Sequence, residues 1–221
     1  MVPVSEFAAA GFLLYGSYKD IKTREIPDSL WAAMGITGIA FRIQDHQWKI
    51  MAISCGVALL IGLILAISGL FGGADIKVLL ALSLLIPTYP GTVAPVFVVT
   101  VFNNVVVIRV AEILAVFFYN IVKGNEYHRT IPVWKKILLY MTGVPRSRET
   151  LDYRFLPLQD VKGTLHLLPD IDIDIEQFKK ECELKEIWAT YGSPLIFYVM
   201  IGCIIAFLGG DLILHLMIHL V

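Results

Sequence analysis

The chain has 221 residues, 57% of them hydrophobic, and a mean hydropathy of +0.73, against roughly 45–50% apolar residues in a soluble domain. That composition excludes an ordinary soluble globule and points to a polytopic membrane protein. A net charge of −1 carries no footprint for nucleic acid, and none is expected as a partner; Cys55, Cys182 and Cys203 lack the spacing of a zinc site or disulfide framework.

A helix needs about 20 apolar residues to cross the hydrocarbon, fewer with local thinning. Six stretches qualify, in chain order 3–18, 30–43, 50–71, 76–85, 93–122 and 193 to the C-terminus. The first has no basic n-region and no A-x-A cleavage site before its polar end, so it reads as a retained span rather than a removed signal peptide. The first, second and fourth are marginal alone and depend on their neighbours.

Between the fifth and sixth spans the chain turns polar. "YRFLPLQDVKGTLHLLP" predicts paired strands about a Lys-Gly turn, and "IDIEQFKKECELKEIW" predicts a helix leading into the last span. The acidic "PDIDIDIEQ" reads as solvated surface rather than a metal site. The expected architecture is an all-α polytopic membrane protein of six transmembrane helices, with a small cytoplasmic α+β insert before the last. Residues 1–122 hold five spans, 123–186 the insert and 187–221 the sixth.

Lys and Arg concentrate on one side of such a topology. With the N-terminus outside, Lys19, Lys22, Arg24, Lys77 and eleven basic residues of the insert fall inside, against Arg42 and Lys49 outside. Asp20, just past the first span, and Asp75, opening the fourth, then share the cytoplasmic face.

Two readings of these acids stand side by side. Asp75 follows Gly72, Gly73 and Ala74 and could be a plain N-cap for "IKVLLALSLL"; Asp20 could be an interfacial helix end. Alternatively, two carboxylates at matching depth meet, share one proton and activate a water without any metal or cofactor. Gly72 and Gly73 would let a substrate backbone approach. Lys77 reads as a snorkelling interfacial lysine, Lys22 and Arg24 as residues at the headgroups, and Asp28 or Ser29 as the cap of the second span after Pro27. Arg109 and Glu112, at i, i+3 inside the fifth span, read as a structural intramembrane pair facing the bundle. Asn103 and Asn104 read as interhelical hydrogen bonders. Gly209-Gly210-Asp211 imitates the Asp75 stretch on the outer side, and His215 and His219 lack a third metal ligand.

Asp-Ile-x-x-Arg-x-Ile-Pro-Asp over residues 20–28 and "GGADIK" over 72–77 resemble the two motifs of the prepilin peptidases, a family of GxGD membrane aspartyl proteases. The six-span layout with its late insert looks like the archaeal branch that processes preflagellins. The resemblance implies Asp20 and Asp75 as the catalytic pair and Gly72 as the first motif glycine, with Ala74 in place of the second. It implies preflagellin- or prepilin-like substrates that lose a short basic leader at the cytoplasmic edge of the membrane, with lipids as the other partner. Without the cysteine tetrad of many bacterial relatives, proteolysis alone is expected. A presenilin-like intramembrane protease is the alternative, disfavoured by six rather than nine spans and no Pro-Ala-Leu tripeptide near the C-terminus. A proton-coupled transporter is more distant, because no internal repeat is seen.

Overall fold

The computed structural model describes residues 2–67, 73–90, 96–127, 130–170 and 173–220. They form two units, 1–108 with 194–221, and 109–193. The second unit takes in the latter part of the fifth long helix, from Arg109, and the chain that follows it to Ser193.

The first unit is helical: α1 (Val2–Lys22), α2 (Asp28–Asp45), α3 (Trp48–Ile67), α4 (Gly73–Leu85) and the start of α5 (Phe97–Lys123), then α8 (Leu195–Gly209) and α9 (Leu212–Leu220). Backbone chemistry sets the breaks. Arg24 and His46 take left-handed conformations (φ 60° and 53°) that end α1 and α2. Pro27 stands before α2, and Pro87 lies just past α4. α2 packs along α4, α3 on α4, and α1 on α8. Gly38 permits the first of these contacts, since a Cβ there would lie 2.5 Å from the Leu84 carbonyl carbon and the Leu85 nitrogen. The core runs through Leu13, Met34, Val78, Leu82 and Phe97, and Phe97 stacks on Phe207 at 5.2 Å between centroids.

α3 and α5 are each long and apolar enough to cross a membrane, and α8 with α9 makes a third candidate, bent by 49°. The last span is therefore not the continuous helix that the sequence predicts. Gly210, at φ 77°, and Asp211 separate its two halves. By length and composition these helices suggest a membrane protein; α4 is shorter than a straight crossing requires.

The second unit continues α5 into α6 (Val133–Thr142), β1 (Val144–Ser147), β2 (Phe155–Pro157), α7 (Ile175–Glu181) and β3 (Glu186–Tyr191). The sheet order is β1-β3-β2, antiparallel throughout. The helix expected over 173–188 stops early. Asp174 caps it through the Glu176 and Gln177 amides, but "EIWATY" is β-branched and aromatic and becomes the central strand. Alternation along β3 serves two small cores: Ile187 and Ala189 pack with Phe178 and Leu151, Trp188 with Leu139 and Leu158. The strands predicted about Lys162-Gly163 reduce to β2 and one bridge, Gln159 with Leu165, around a turn whose Asp160 accepts from the Lys162 and Thr164 amides.

Candidate active site

Asp20 lies in the last turn of α1, and its position follows from the helical period. Gly16 precedes it by one turn and Ser17 by three residues, so all three face α8. A Cβ at Gly16 would come within 2.8 Å of the Trp31 ring and 3.2 Å of Ile196; the bare glycine lets α1 approach both helices. Ser17 Oγ donates to the Ile196 carbonyl at 3.3 Å. Asp20 is then buried, and its Oδ2 accepts the Ile196 amide N–H at 2.9 Å.

That bond has a structural logic. α8 begins after Pro194, which offers no side-chain cap, so its first amides need acceptors from elsewhere. Asp20 supplies one from 176 residues away, and its carboxylate sits at the positive end of the helix dipole. Its other oxygen, Oδ1, lies 3.7 Å from Arg24 Nη1. Arg24 folds back one turn toward the acid, as its i, i+4 spacing allows. Asp20 lies beyond the end of the predicted first span. Burial pushes its carboxyl up, against the opposing pull of the Ile196 amide, Arg24 and the Phe197 amide.

α4 begins at Gly73, which puts Asp75 inside its first turn rather than before it. The N-cap reading of Asp75 thus gives way to a place among the first-turn amides. Gly72 lies outside the described residues, and for Gly73, Ala74 and Asp75 the description covers the backbone alone. Lys77, in the same helix, bonds Asp28 Oδ1 at 2.6 Å. Asp28 is accordingly no cap. It is the first residue of α2, whose N-terminus has no side-chain cap bond. A groove of ≈ 390 Å³ lies between α2 and α4, lined by Asp28, Trp31, Gly35, Ile36, Lys77 and Leu80 among others.

The remaining polar residues sort by unit. Asn103 Nδ2 donates to Asp211 Oδ2 at 2.8 Å, and Asp211 Oδ1 accepts the Ile213 and Leu214 amides at 3.0 and 3.2 Å, capping α9. Asn104 donates to the Gly202 and Gly210 carbonyls and accepts the Leu212 amide. Arg109 and Glu112 belong to the second unit. Arg109 Nη1 donates to Glu112 Oε2 and also to Ser193 Oγ, a partner the sequence did not suggest. The pair ties α5 to the chain just before α8. Among the described residues, no group of three or more His, Cys, Asp or Glu is placed to hold a metal ion.

The profile of the type IV leader peptidase family matches residues 7–123, a stretch that contains both Asp20 and Asp75. The chain belongs to the type IV leader peptidase family. It is 26% identical to the preflagellin peptidase of Methanococcus maripaludis and 27% identical to that of Methanococcus voltae, each over 93% of this chain and 95% of the relative. It is also 26% identical to the preflagellin peptidase of Methanocaldococcus jannaschii, over 91% of this chain and 92% of the relative. Membership makes leader-peptide cleavage the family-level activity. The matched stretch ends with α5, leaving most of the second unit beyond it.

Proposed function

We propose that the protein is a membrane aspartyl endopeptidase that removes the leader peptide from preflagellin- or prepilin-like subunits at the cytoplasmic face. Asp20 and Asp75 form its water-activating pair. The observation that carries this reading is the setting of Asp20. It is a buried acid set against the first amides of α8, with Oδ2 accepting the Ile196 N–H and Oδ1 in a 3.7 Å ion pair with Arg24, inside the matched stretch.

In this scheme the pair shares one proton. The ionised acid takes a proton from the water as its oxygen adds to the scissile carbonyl carbon. The protonated acid gives its proton to the carbonyl oxygen, forming a gem-diol. A proton then passes to the amide nitrogen, the C–N bond breaks, and the products leave as a carboxylic acid and an amine. The α8 N-terminus fixes the orientation of Asp20 and favours negative charge on it. The groove between α2 and α4 opens beside the turn bearing Lys77 and suits the apolar segment that follows the cleaved bond.

The test is incubation of protein-containing membranes with preflagellin- and prepilin-like substrates, followed by N-terminal sequencing of the products. One new N-terminus at the leader junction is expected, lost in Asp20→Asn and in Asp75→Asn. Cleavage at the parental rate by either variant would end the two-aspartate reading.

A further inference from the structure

We propose that α6 is an in-plane membrane-surface helix, through which the second unit rests on the headgroup and upper acyl region of an anionic bilayer. The inference depends on the membrane-embedded character of α5 and not on the proposed dyad. α6 has two apolar sides. The inner one carries Leu139, fully buried against Leu158 and Trp188, and Tyr140, stacked on Trp188 at 5.5 Å. The outer one carries Val133, Trp134, Ile137 and Leu138, exposed by 75%, 54%, 46% and 39%. Their i, i+1, i+4, i+5 spacing makes one stripe on the side opposite Leu139. Such a stripe on a ten-residue helix marks an interaction surface.

Its charge chemistry selects the occupant. Lys135 and Lys136 lie on either flank of Leu139, and "VWKKILLYMT" has no acid. Lys135 Nζ stands over the Trp134 ring, 5.5 Å from its centroid. A tryptophan with lysine stems beside an aliphatic stripe fits the boundary between headgroups and acyl chains. A protein partner's apolar face would not call for cations alone.

Continuity with α5 points the same way. Val110, Leu114, Phe118, Ile121 and Val122 form an exposed stripe that runs to the end of that helix. There α6 is fastened. Buried Asn120 donates from Nδ2 to the Tyr140 and Gly143 carbonyls at 2.9 and 2.8 Å, Asn125 donates to Asn120 Oδ1 at 2.7 Å, and Tyr140 Oη donates to the Asn125 carbonyl. The clamp fixes the outer stripe of α6 relative to the apolar end of α5.

The test uses the full chain in phosphatidylcholine vesicles containing phosphatidylglycerol. Ile137→Cys is spin-labelled in a Cys55→Ser background, Cys182 and Cys203 being buried. Expected is high accessibility to oxygen and low accessibility to a water-soluble nickel chelate, the reverse of a label at exposed Glu149. In the otherwise unaltered protein, brominated lipids should remove most of the emission that Trp134→Phe deletes. Nickel access at 137 equal to that at 149, or Trp134 emission untouched by brominated lipid, would overturn the proposal. So would exclusion of both reagents, which would mean that a second copy or another protein covers the stripe.

Discussion

Two buried aspartates of the first unit, Asp20 and Asp211, answer the same sequence question in opposite ways. Asp211 follows two glycines and copies the look of the Asp75 stretch, yet both its oxygens are committed, one to two amides of α9 and the other to Asn103. It repairs the break between α8 and α9, where the helix ends would otherwise leave amides without acceptors. Asp20 also sits at a helix start, where Oδ2 accepts the Ile196 amide and the Phe197 amide adds its pull, but its charged partner Arg24 meets Oδ1 only across 3.7 Å. A carboxylate whose acceptor capacity is used up is structural. One whose ion pair is long, as the 3.7 Å contact of Asp20 with Arg24 is, keeps capacity for a substrate or a second acid.

The largest effect that can break this comparison is on turnover. Asp20→Asn should lower leader cleavage by about 10²-fold or more, the scale of general acid–base catalysis, while Asp211→Asn keeps it. Equal loss in both, measured per folded molecule, would put the two acids in one class. Stability should run the other way. Because burial raises the Asp20 pKa on folding, the folded state is favoured at low pH, and that stability is lost as pH rises through the folded value. Asp20→Asn, uncharged throughout, should therefore unfold no more easily than the parent at neutral pH, and any advantage should fade on acidification. Thermal unfolding in detergent across pH gives the answer.

Next in size is the α9 cap. Asp211→Ala removes the oxygen that accepts two α9 amides and strands Asn103, at a cost of roughly 2 kcal/mol by analogy with caps and charged hydrogen bonds. Gly16→Ala should cost about 1–3 kcal/mol through overpacking against Trp31 and Ile196. Because it pushes α8 from α1 at the turn that carries Asp20, it should also lower cleavage, which Asp211→Ala should not. An unchanged melting temperature for either variant would show that its contacts are dispensable.

What the sequence made legible follows from range. Hydropathy runs and the Pro27 and Pro87 breaks are local, and they predicted most helices to within a few residues. Asp20 stood out only through the resemblance of Asp-Ile-x-x-Arg-x-Ile-Pro-Asp to a family motif. Its amide partner did not, because nothing at position 20 encodes a helix start at 195. Gly16 carried a hint, a small residue one turn before the acid on the same face, but its meaning depends on Trp31 and Ile196. The second unit was misread at 186–188 because a short apolar-polar run after a capped helix fits either period. Only pairing with both β1 and β2 decides it for strand. The Arg109–Glu112 pairing was legible in its i, i+3 spacing, whereas Ser193, its third partner, was not, because nothing at 109 encodes a residue 84 positions on.

The smallest effect concerns Lys77, and it tests the rule from the exposed side. Its ammonium reaches Asp28 at 2.6 Å, but the two side chains are 46% and 73% exposed. In water such a pair gains little after desolvation and side-chain entropy, about 0.2–1 kcal/mol, and salt screens it further. Lys77→Met should lower stability by no more than that at low ionic strength and by less at high salt, read by thermal unfolding in detergent. A loss of several kcal/mol, insensitive to salt, would mean that Lys77 and Asp28 are buried together in the membrane-embedded protein. The α2–α4 groove would then be closed at that end, and the place proposed for the apolar segment of a substrate would have to move.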